Sequence, residues 1–453
     1  MKEKNGKNKL VQIWKGLTIS RKLIIGFLGA ILLGTVLLKM PFSLAQNKKI
    51  DFLEALFTIV SAVCVTGLSV VDVSKTFSVI GHSVILFFIQ IGALGVMTFS
   101  TMLLVLIGKK MSYSTRELLK EERNSDSGGG ITSFIRKLLL TVFIIEALGA
   151  LILFFEFRKI MTMRNAIFYG IFHAVSAFCN AGFSLFSDSL EGFKLNPVIN
   201  LTVAYLIIFG SMGFAVISSF IHMIRRGKNR FNLTTKLSIM MAVVLTVLGT
   251  VLFFVLEYNN AETLGNMNIF QKLMASFFQS VTFRTAGFNT VSLAATRPAT
   301  TFISYVLMFI GASPGSTGGG VKTTTIGIII YYIIGVLRKK ENIEMFNRRI
   351  DWEIMNKALA IIMISLMYVF VVTTIILSLE NFGIDRILYE VISAFATVGL
   401  SMDITPKLGN ISRIILIITM FVGRLGPLTI ALAFAEKRGK SSLKLPKEDI
   451  LVG

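Results

Sequence analysis

Four hexapeptides hold residue types from which an ion pathway can be built. They read CVTGLS at Cys64–Ser69, CNAGFS at Cys179–Ser184, RTAGFN at Arg284–Asn289 and ATVGLS at Ala396–Ser401. Each centres on a glycine: Gly67, Gly182, Gly287 and Gly399, separated by 115, 105 and 112 residues. A loop that turns successive carbonyls toward an axis can replace the water shell of a cation. Glycine takes the backbone conformations this needs without a Cβ clash. Any one such glycine reads better as an ordinary helix end. Four in register, at near-constant spacing, are an internal repeat.

The elements before the loops repeat as well. SAV, SAF, VTF and SAF occupy the same offset upstream, and an aromatic stands ten residues before each glycine: Phe57, Phe172, Phe277 and Tyr389. Short apolar stretches at Phe52–Val65, Ala166–Cys179, Ile269–Phe283 and Ile387–Ala396 precede the glycines. They are too short to cross a bilayer, which takes about 20 apolar residues, and suit re-entrant half-helices sheltered inside protein. Asp51, Asn165, Asn268 and Asp385 stand where their N-caps are expected. A half-helix in this position aims its negative C-terminal end at the loop.

Between these stretches lie eight runs read as full spans: Leu23–Leu38, Val79–Ile107, Phe134–Phe155, Val198–Ile224, Leu237–Leu256, Phe302–Leu337, Ala358–Leu379 and Ile411–Phe434. The first could pass for a signal peptide, but the chain continues in the same style and the first half-helix needs a partner. The 453 residues are 54% hydrophobic and 16% charged, which excludes a soluble enzyme, a disordered chain and a coiled coil. The net charge is +21. Of 46 Lys and Arg, 30 fall in the segment ending at Lys22 and in Lys109–Lys137, Arg225–Lys236, Arg338–Lys357 and Lys437–Lys447. With eight spans these share one face, which the positive-inside rule makes cytoplasmic, together with both termini. Charge spread over membrane flanks without interleaved aromatics argues against nucleic acid as a partner and for the lipid bilayer.

The expected fold is an all-α membrane protein: four tandem repeats of span, pore half-helix and span around one pseudo-fourfold pore. Residues 1–22 form a cytoplasmic segment and 23–107, 134–224, 237–337 and 358–434 the four repeats. The third has a broken second span, and 435–453 is a cytoplasmic tail.

Gly311–Gly320 reads GASPGSTGGG, five glycines and a proline in ten residues. Helix cannot persist there, and a break at membrane depth is tolerated where it lines a cavity. It is not a phosphate loop, because Val321 follows Gly320 and no strand precedes it. A plain flexible kink and a gating element both remain open for it on composition alone. Lys322 can cap carbonyls freed by the break. Arg424 lies deep in the last span, where a charge is expensive and is either functional or a structural anchor, for instance to Glu146 in mid-span. Arg284 stands where the other loops have Cys64, Cys179 and Ala396, and reads as a brace behind its loop. Asp72, Asp188 and Asp403 follow the loop glycines by five, six and four residues. At a pore mouth they would raise the local cation concentration; as solvated loop residues they would do nothing. Cys64 and Cys179 read as buried apolar fillers, without a disulfide framework. His82, His173 and His222 share no catalytic spacing with carboxylates and are assigned to structure.

The four half-helix loops, with TVG in the last, resemble the Ktr/Trk/HKT superfamily of potassium transporters, most of all the bacterial Ktr membrane subunit. The resemblance runs from about Leu23 to the C-terminus. It implies a potassium filter lined by the carbonyls of Val65, Thr66 and Gly67, of Asn180, Ala181 and Gly182, of Thr285, Ala286 and Gly287, and of Thr397, Val398 and Gly399, with K+ as the transported ion and the only metal. In plant relatives a serine in the first loop marks sodium permeability, so Gly67 favours potassium. The resemblance makes Gly311–Gly320 the intramembrane gate below the filter, with Gly311, Ser313, Gly315, Ser316, Thr317, Gly318, Gly319, Gly320 and Lys322. It places Arg424 there as a positive barrier. It also implies a homodimer in the cell membrane, seated on a cytosolic ring of nucleotide-binding regulatory subunits. The chain itself has no Rossmann fingerprint and no cofactor is expected in it.

The function expected is potassium uptake through this channel-like pore. A sodium- or proton-coupled carrier is the alternative, though only Glu146 clearly offers a mid-span carboxylate. A membrane-embedded enzyme would need a convergent catalytic cluster, which the sequence lacks.

Overall fold

A computed structural model describes residues 19–95, 131–213, 231–339 and 342–426, with 216, 217, 219, 220 and 223 between them. Most of the first segment 1–22, the first repeat beyond Gly95, His222 and the tail 435–453 lie outside the described residues.

Helices dominate the described residues, in the order α1 (Ile19–Lys39), half-helix α2 (Phe52–Val63), α3 (Val79–Leu94), α4 (Ile131–Phe157), half-helix α5 (Met163–Phe178) and α6 (Pro197–Ser211). Then come α7 (Leu233–Glu257), half-helix α8 (Ile269–Thr282), α9 (Pro298–Phe309), α10 (Thr323–Leu337), α11 (Trp352–Leu379), half-helix α12 (Ile384–Ala396) and α13 (Asn410–Leu425). Two helix starts differ from expectation. Asp51 and Asn268 do stand at N-caps: the Glu54 carboxylate accepts from the Asp51 N–H at 2.9 Å, and Asn268 and Gln271 exchange bonds of 2.9 and 3.1 Å. α5, however, starts after Thr162, and α12 after Gly383. Asn165 and Asp385 therefore sit inside the first turn, where the Asp385 charge still suits a helix N-terminus.

The expected spans, of which only Phe302–Leu337 was read as broken, need correction. Four helices among the described residues are long and apolar enough to cross a membrane: Arg21–Lys39, Leu139–Phe157, Leu233–Glu257 and Trp352–Leu379. They begin the four repeats. Every second helix stops partway. The reason is a glycine pair three apart, GALG at Gly92–Gly95, GSMG at Gly210–Gly213 and GRLG at Gly423–Gly426. The second glycine of each adopts φ of +82°, +87° and +85°, a hand that helix cannot continue. Val216 and Ile217 are helical again after Gly213. In the third repeat the same position holds GASPG, and α9 and α10 are separated by the whole glycine-rich segment.

The fold is also not wholly α. Strands β1 (Ile343–Met345) and β2 (Arg348–Ile350) pair antiparallel, with Phe346 and Asn347 both at positive φ as a two-residue hairpin turn requires. Alternation of buried Ile343 and Met345 with exposed Glu344 drives it.

The half-helices bury their C-terminal ends; in α12 every residue from Tyr389 to Ala396 is buried. Leu32, Leu148, Val247 and Phe370, exposed on the long helices, give an apolar outside. Each second helix packs on the half-helix of the following repeat: α3 on α5, α6 on α8, α9 on α12, and α13 back on α2.

Candidate ion pathway

Each half-helix runs into its hexapeptide through the same backbone turn. Val65, Asn180, Thr285 and Thr397 adopt φ of +57°, +59°, +67° and +52°, and the glycine two residues later is again positive, at +98°, +70°, +81° and +92°. The residue between them is not at positive φ, so the sign alternates in the same way in all four loops. For β-branched Val65, Thr285 and Thr397 such φ is strained by about 1–3 kcal/mol each.

Hydroxyls at the end of each half-helix hold that strain. Ser61 Oγ accepts from the Gly67 N–H at 3.0 Å and Ser393 Oγ from the Gly399 N–H at 3.1 Å. Ser176 Oγ donates to the Phe183 carbonyl at 2.8 Å. In the third repeat Val281 takes the serine position, and Thr282, one residue later, donates to the Phe288 carbonyl instead. These four hydroxyls, which hold the loops of the candidate site, were missed in reading the sequence. Their signal was the shared SAV/SAF/VTF offset, which shows position but not bonding.

The four glycines follow one another in space. A Cβ on Gly67 would stand 2.5 Å from the Ala181 carbonyl oxygen. One on Gly182 would meet Gly287 Cα at 2.7 Å and the Ala286 oxygen at 3.0 Å. One on Gly287 would meet the Val398 oxygen at 2.8 Å, and one on Gly399 would strike the Thr66 oxygen. The contacts pass from loop to loop and return to the first. Beside them opens a cavity of about 340 Å³, lined by all four glycines, by Ser69, Ser184, Asn289 and Ser401, and by Asp72 and Asp403. Asp188 does not line it; its carboxylate accepts from the Gly192 N–H at 3.0 Å.

On the other side of the glycines lies the segment Gly311–Gly320. The Gly319 N–H donates to Thr397 Oγ1 at 3.1 Å, and a side chain on Gly318 would strike Thr285 Oγ1. Its backbone is tied to the second repeat by Ser313 N–H to the Ser211 carbonyl at 3.1 Å and Thr317 N–H to the Gly210 carbonyl at 3.3 Å. Ser316 Oγ bonds the Ser313 carbonyl at 2.6 Å. Two cations cap adjacent carbonyls: Arg424 donates to Thr317, and Lys322 Nζ to Gly318 at 2.7 Å. Gly315 has open space around it.

The other membrane-depth charges are held elsewhere. Glu146 accepts from Gln90 Nε2 at 3.2 Å, and Cys179 Sγ donates to Gln90 Oε1 at 3.2 Å, so this buried cluster backs the second loop. Arg284 is buried and donates to Thr246 on α7 at 2.8 Å, behind the third loop.

Comparison with known proteins decides the family. Residues 28–444 match the model of TrkH, described as a cation transport protein. The chain belongs to the TrkH family. Among relatives, the Ktr system potassium uptake protein B of Bacillus subtilis is 40% identical over 99% of both chains. The protein of the same name from Vibrio alginolyticus is 37% identical over 96% of this chain and 94% of its own. The crystal structure of the potassium transporter TrkH from Vibrio parahaemolyticus superposes with a TM-score of 0.71 over 90% of this chain and 84% of that one, at 18% identity. The resemblance to Ktr membrane subunits therefore holds, and this TrkH-family chain is a multi-pass membrane protein of a cation transport family. Its second repeat motif, the glycine segments that start at Gly92, Gly210, Gly311 and Gly423, was legible in the sequence as GALG, GSMG, GASPG and GRLG but hidden inside runs long enough to look like spans.

Proposed function

We propose that this chain is the ion-conducting membrane subunit of a potassium uptake system of the cell membrane. K+ passes a filter made by the carbonyls of the four loops, whose glycines surround one pseudo-fourfold axis. The observation that carries the reading is the circuit of contacts from Gly67 through Gly182 and Gly287 to Gly399 and back, with a carbonyl oxygen at each step. Four half-helix C-termini add partial negative charge beside it. The cavity with Asp72 and Asp403 is then the outer mouth, and both termini are cytoplasmic, in keeping with the basic flanks. Asp188 sits beside that mouth as part of the same acidic field.

Gly311–Gly320 closes the pathway below the filter. Arg424 and Lys322 pin it and put positive charge on the path. Bonds of this kind contribute about 1.5–3 kcal/mol each when one partner is charged. A partner's differential binding of that size can open the segment. The relatives are named for a Ktr system, and the partner proposed here is a cytosolic ring of nucleotide-binding subunits beneath a homodimer.

Rubidium uptake into liposomes carrying the purified chain, competed with potassium or sodium, tests the reading. Potassium competing far better than sodium, without any imposed sodium or proton gradient, is expected. Uptake that needs such a gradient would replace the pore with a coupled carrier.

A further inference from the structure

The third filter loop is built differently from the others. Two residues after the glycine the loops carry Ser69, Ser184, Asn289 and Ser401, all lining the mouth. Three of these positions are held within their own repeat: Ser69 Oγ bonds the Val71 carbonyl at 2.7 Å, Ser184 Oγ the Ser189 carbonyl at 3.0 Å, and Ser401 Oγ shares 3.0 Å with Thr405 Oγ1. Asn289 reaches into another repeat. Its N–H donates to Ser189 Oγ at 3.2 Å, its carbonyl accepts from the Leu190 N–H at 3.1 Å, and its Nδ2 donates to Glu191 Oε1 at 2.6 Å. Three consecutive residues of the second repeat thus grip one residue of the third. Ser189 takes φ of +57° to do so.

The grip lies two residues from Gly287, in the loop whose half-helix also lacks the usual serine. Elsewhere the loops meet another repeat through single contacts ahead of their glycines, such as Cys179 Sγ to Gln90 Oε1 at 3.2 Å and the Gly319 N–H to Thr397 Oγ1 at 3.1 Å, while on the mouth side Ser74 and Ser187 touch farther out at 3.0 Å. We infer that Glu191 is a positioning residue for ion selectivity: through Asn289 it sets where the carbonyls of Thr285–Gly287 stand relative to the second loop. A bond to a carboxylate is short and strong enough for that. Discrimination between potassium and sodium depends on carbonyl placement and field, so loosening one loop of four should relax it before it stops flux. The inference rests on the filter reading above.

The test uses the full chain in liposomes and reads the ratio of potassium to sodium competition against rubidium uptake. Asn289→Ser installs the residue of the other three loops and loses the reach; Glu191→Ala loses the acceptor. Each should lower the ratio about tenfold, the low end expected for one lost charge-assisted bond. The double variant should lose no more than either single one, because both break the same contact. Glu191→Gln keeps an acceptor at the same reach and should retain the wild-type ratio. Glu191→Asp keeps the charge but falls short, and should lower it. These two near-isosteric changes decide the matter if the alanine variant does not fold. The inference is overturned if both single variants keep the wild-type ratio, if their effects add, or if aspartate preserves the ratio while glutamine loses it, which would make Glu191 a mouth charge and nothing more. A wild-type protein without potassium preference would instead sink the filter reading itself.

Discussion

Arg424 donates from one terminal nitrogen to the carbonyl of Thr317 and from the other to the carbonyls of Gly92 and Ala93. One guanidinium in the fourth repeat therefore joins the end of α3 in the first repeat to the glycine-rich segment of the third. Its own position, one residue after Gly423, matches Ala93, Ser211 and Ala312 in the other repeats. Only here does that position carry a cation.

Removing this joint should open the gate. Arg424→Ala, or deletion of about six residues within Gly311–Gly320, should raise rubidium uptake severalfold, since a lost bond of about 1.5–3 kcal/mol shifts a closed–open equilibrium by about tenfold or more. Uptake per membrane-inserted protein in a potassium-uptake-deficient bacterium measures it. Rates at or below wild type in well-expressed variants would return the segment to a structural kink.

Gly67→Ser should admit sodium. Gly67 has φ of +98°, and its Cβ would stand 2.5 Å from the Ala181 oxygen, so the second loop must give way. The expected outcome is reduced potassium preference with the chain still inserted, read as sodium uptake in the same liposomes. An unchanged ratio would count against the filter assignment.

Ser393→Ala should destabilise the fourth loop. It leaves the Gly399 N–H without its acceptor at a position already strained by Thr397, at a cost of about 1–3 kcal/mol. Thermal unfolding in detergent with increasing potassium should show a lower midpoint, partly recovered by the ion. A midpoint equal to wild type at every potassium concentration would mean the hydroxyl does not hold the loop.

Gly423→Ala should impair folding while Gly29→Ala should not. A Cβ on Gly423 would overlap the Phe395 carbonyl, a backbone atom that cannot step aside, whereas Gly29 has nothing within 4 Å. Yield of monodisperse protein and its unfolding midpoint compare the two. Equal behaviour would show that α13 can back away from α12 at no cost.

Outer acidification should slow uptake in two stages at low ionic strength. Burial, then the nearby Asp188 and Asp403 charges, raise the Glu191 carboxyl above the usual range. At Asp72 burial pushes the same way, but bonds from Ser74, Ser187 and Lys75 together outweigh it and hold the carboxyl low. As pH falls, Glu191 therefore loses its charge before Asp72 does, and each protonation lowers cation concentration at the mouth. Glu191→Gln should abolish the upper stage alone, and raised salt should flatten both. A profile indifferent to salt would place the titration elsewhere.

The repeat, the half-helices and the lipid environment were determined by the sequence, because each follows from local properties: run length, apolar content and the spacing of glycines. Even the breaks at Gly95, Gly213 and Gly426 are local, since a glycine at positive φ ends a helix wherever it stands. They escaped reading because the apolar residues flanking them are as long as a span, and hydropathy does not register a backbone turn. The hairpin at Ile343–Ile350 escaped for a similar reason, being three residues to a strand.

Only the tertiary structure decided which groups meet. Ser61 and Gly67 are near in sequence, yet their bond depends on Val65 taking a left-handed turn that no propensity favours for valine. Arg424 lies 107 residues from Thr317 and Asn289 lies 98 from Glu191, so no periodicity links them. These contacts exist because α13 packs back on α2 and α6 on α8. Hydrogen bonds act over about 3 Å, and that proximity is set by the closed packing of the helices, not by position along the chain.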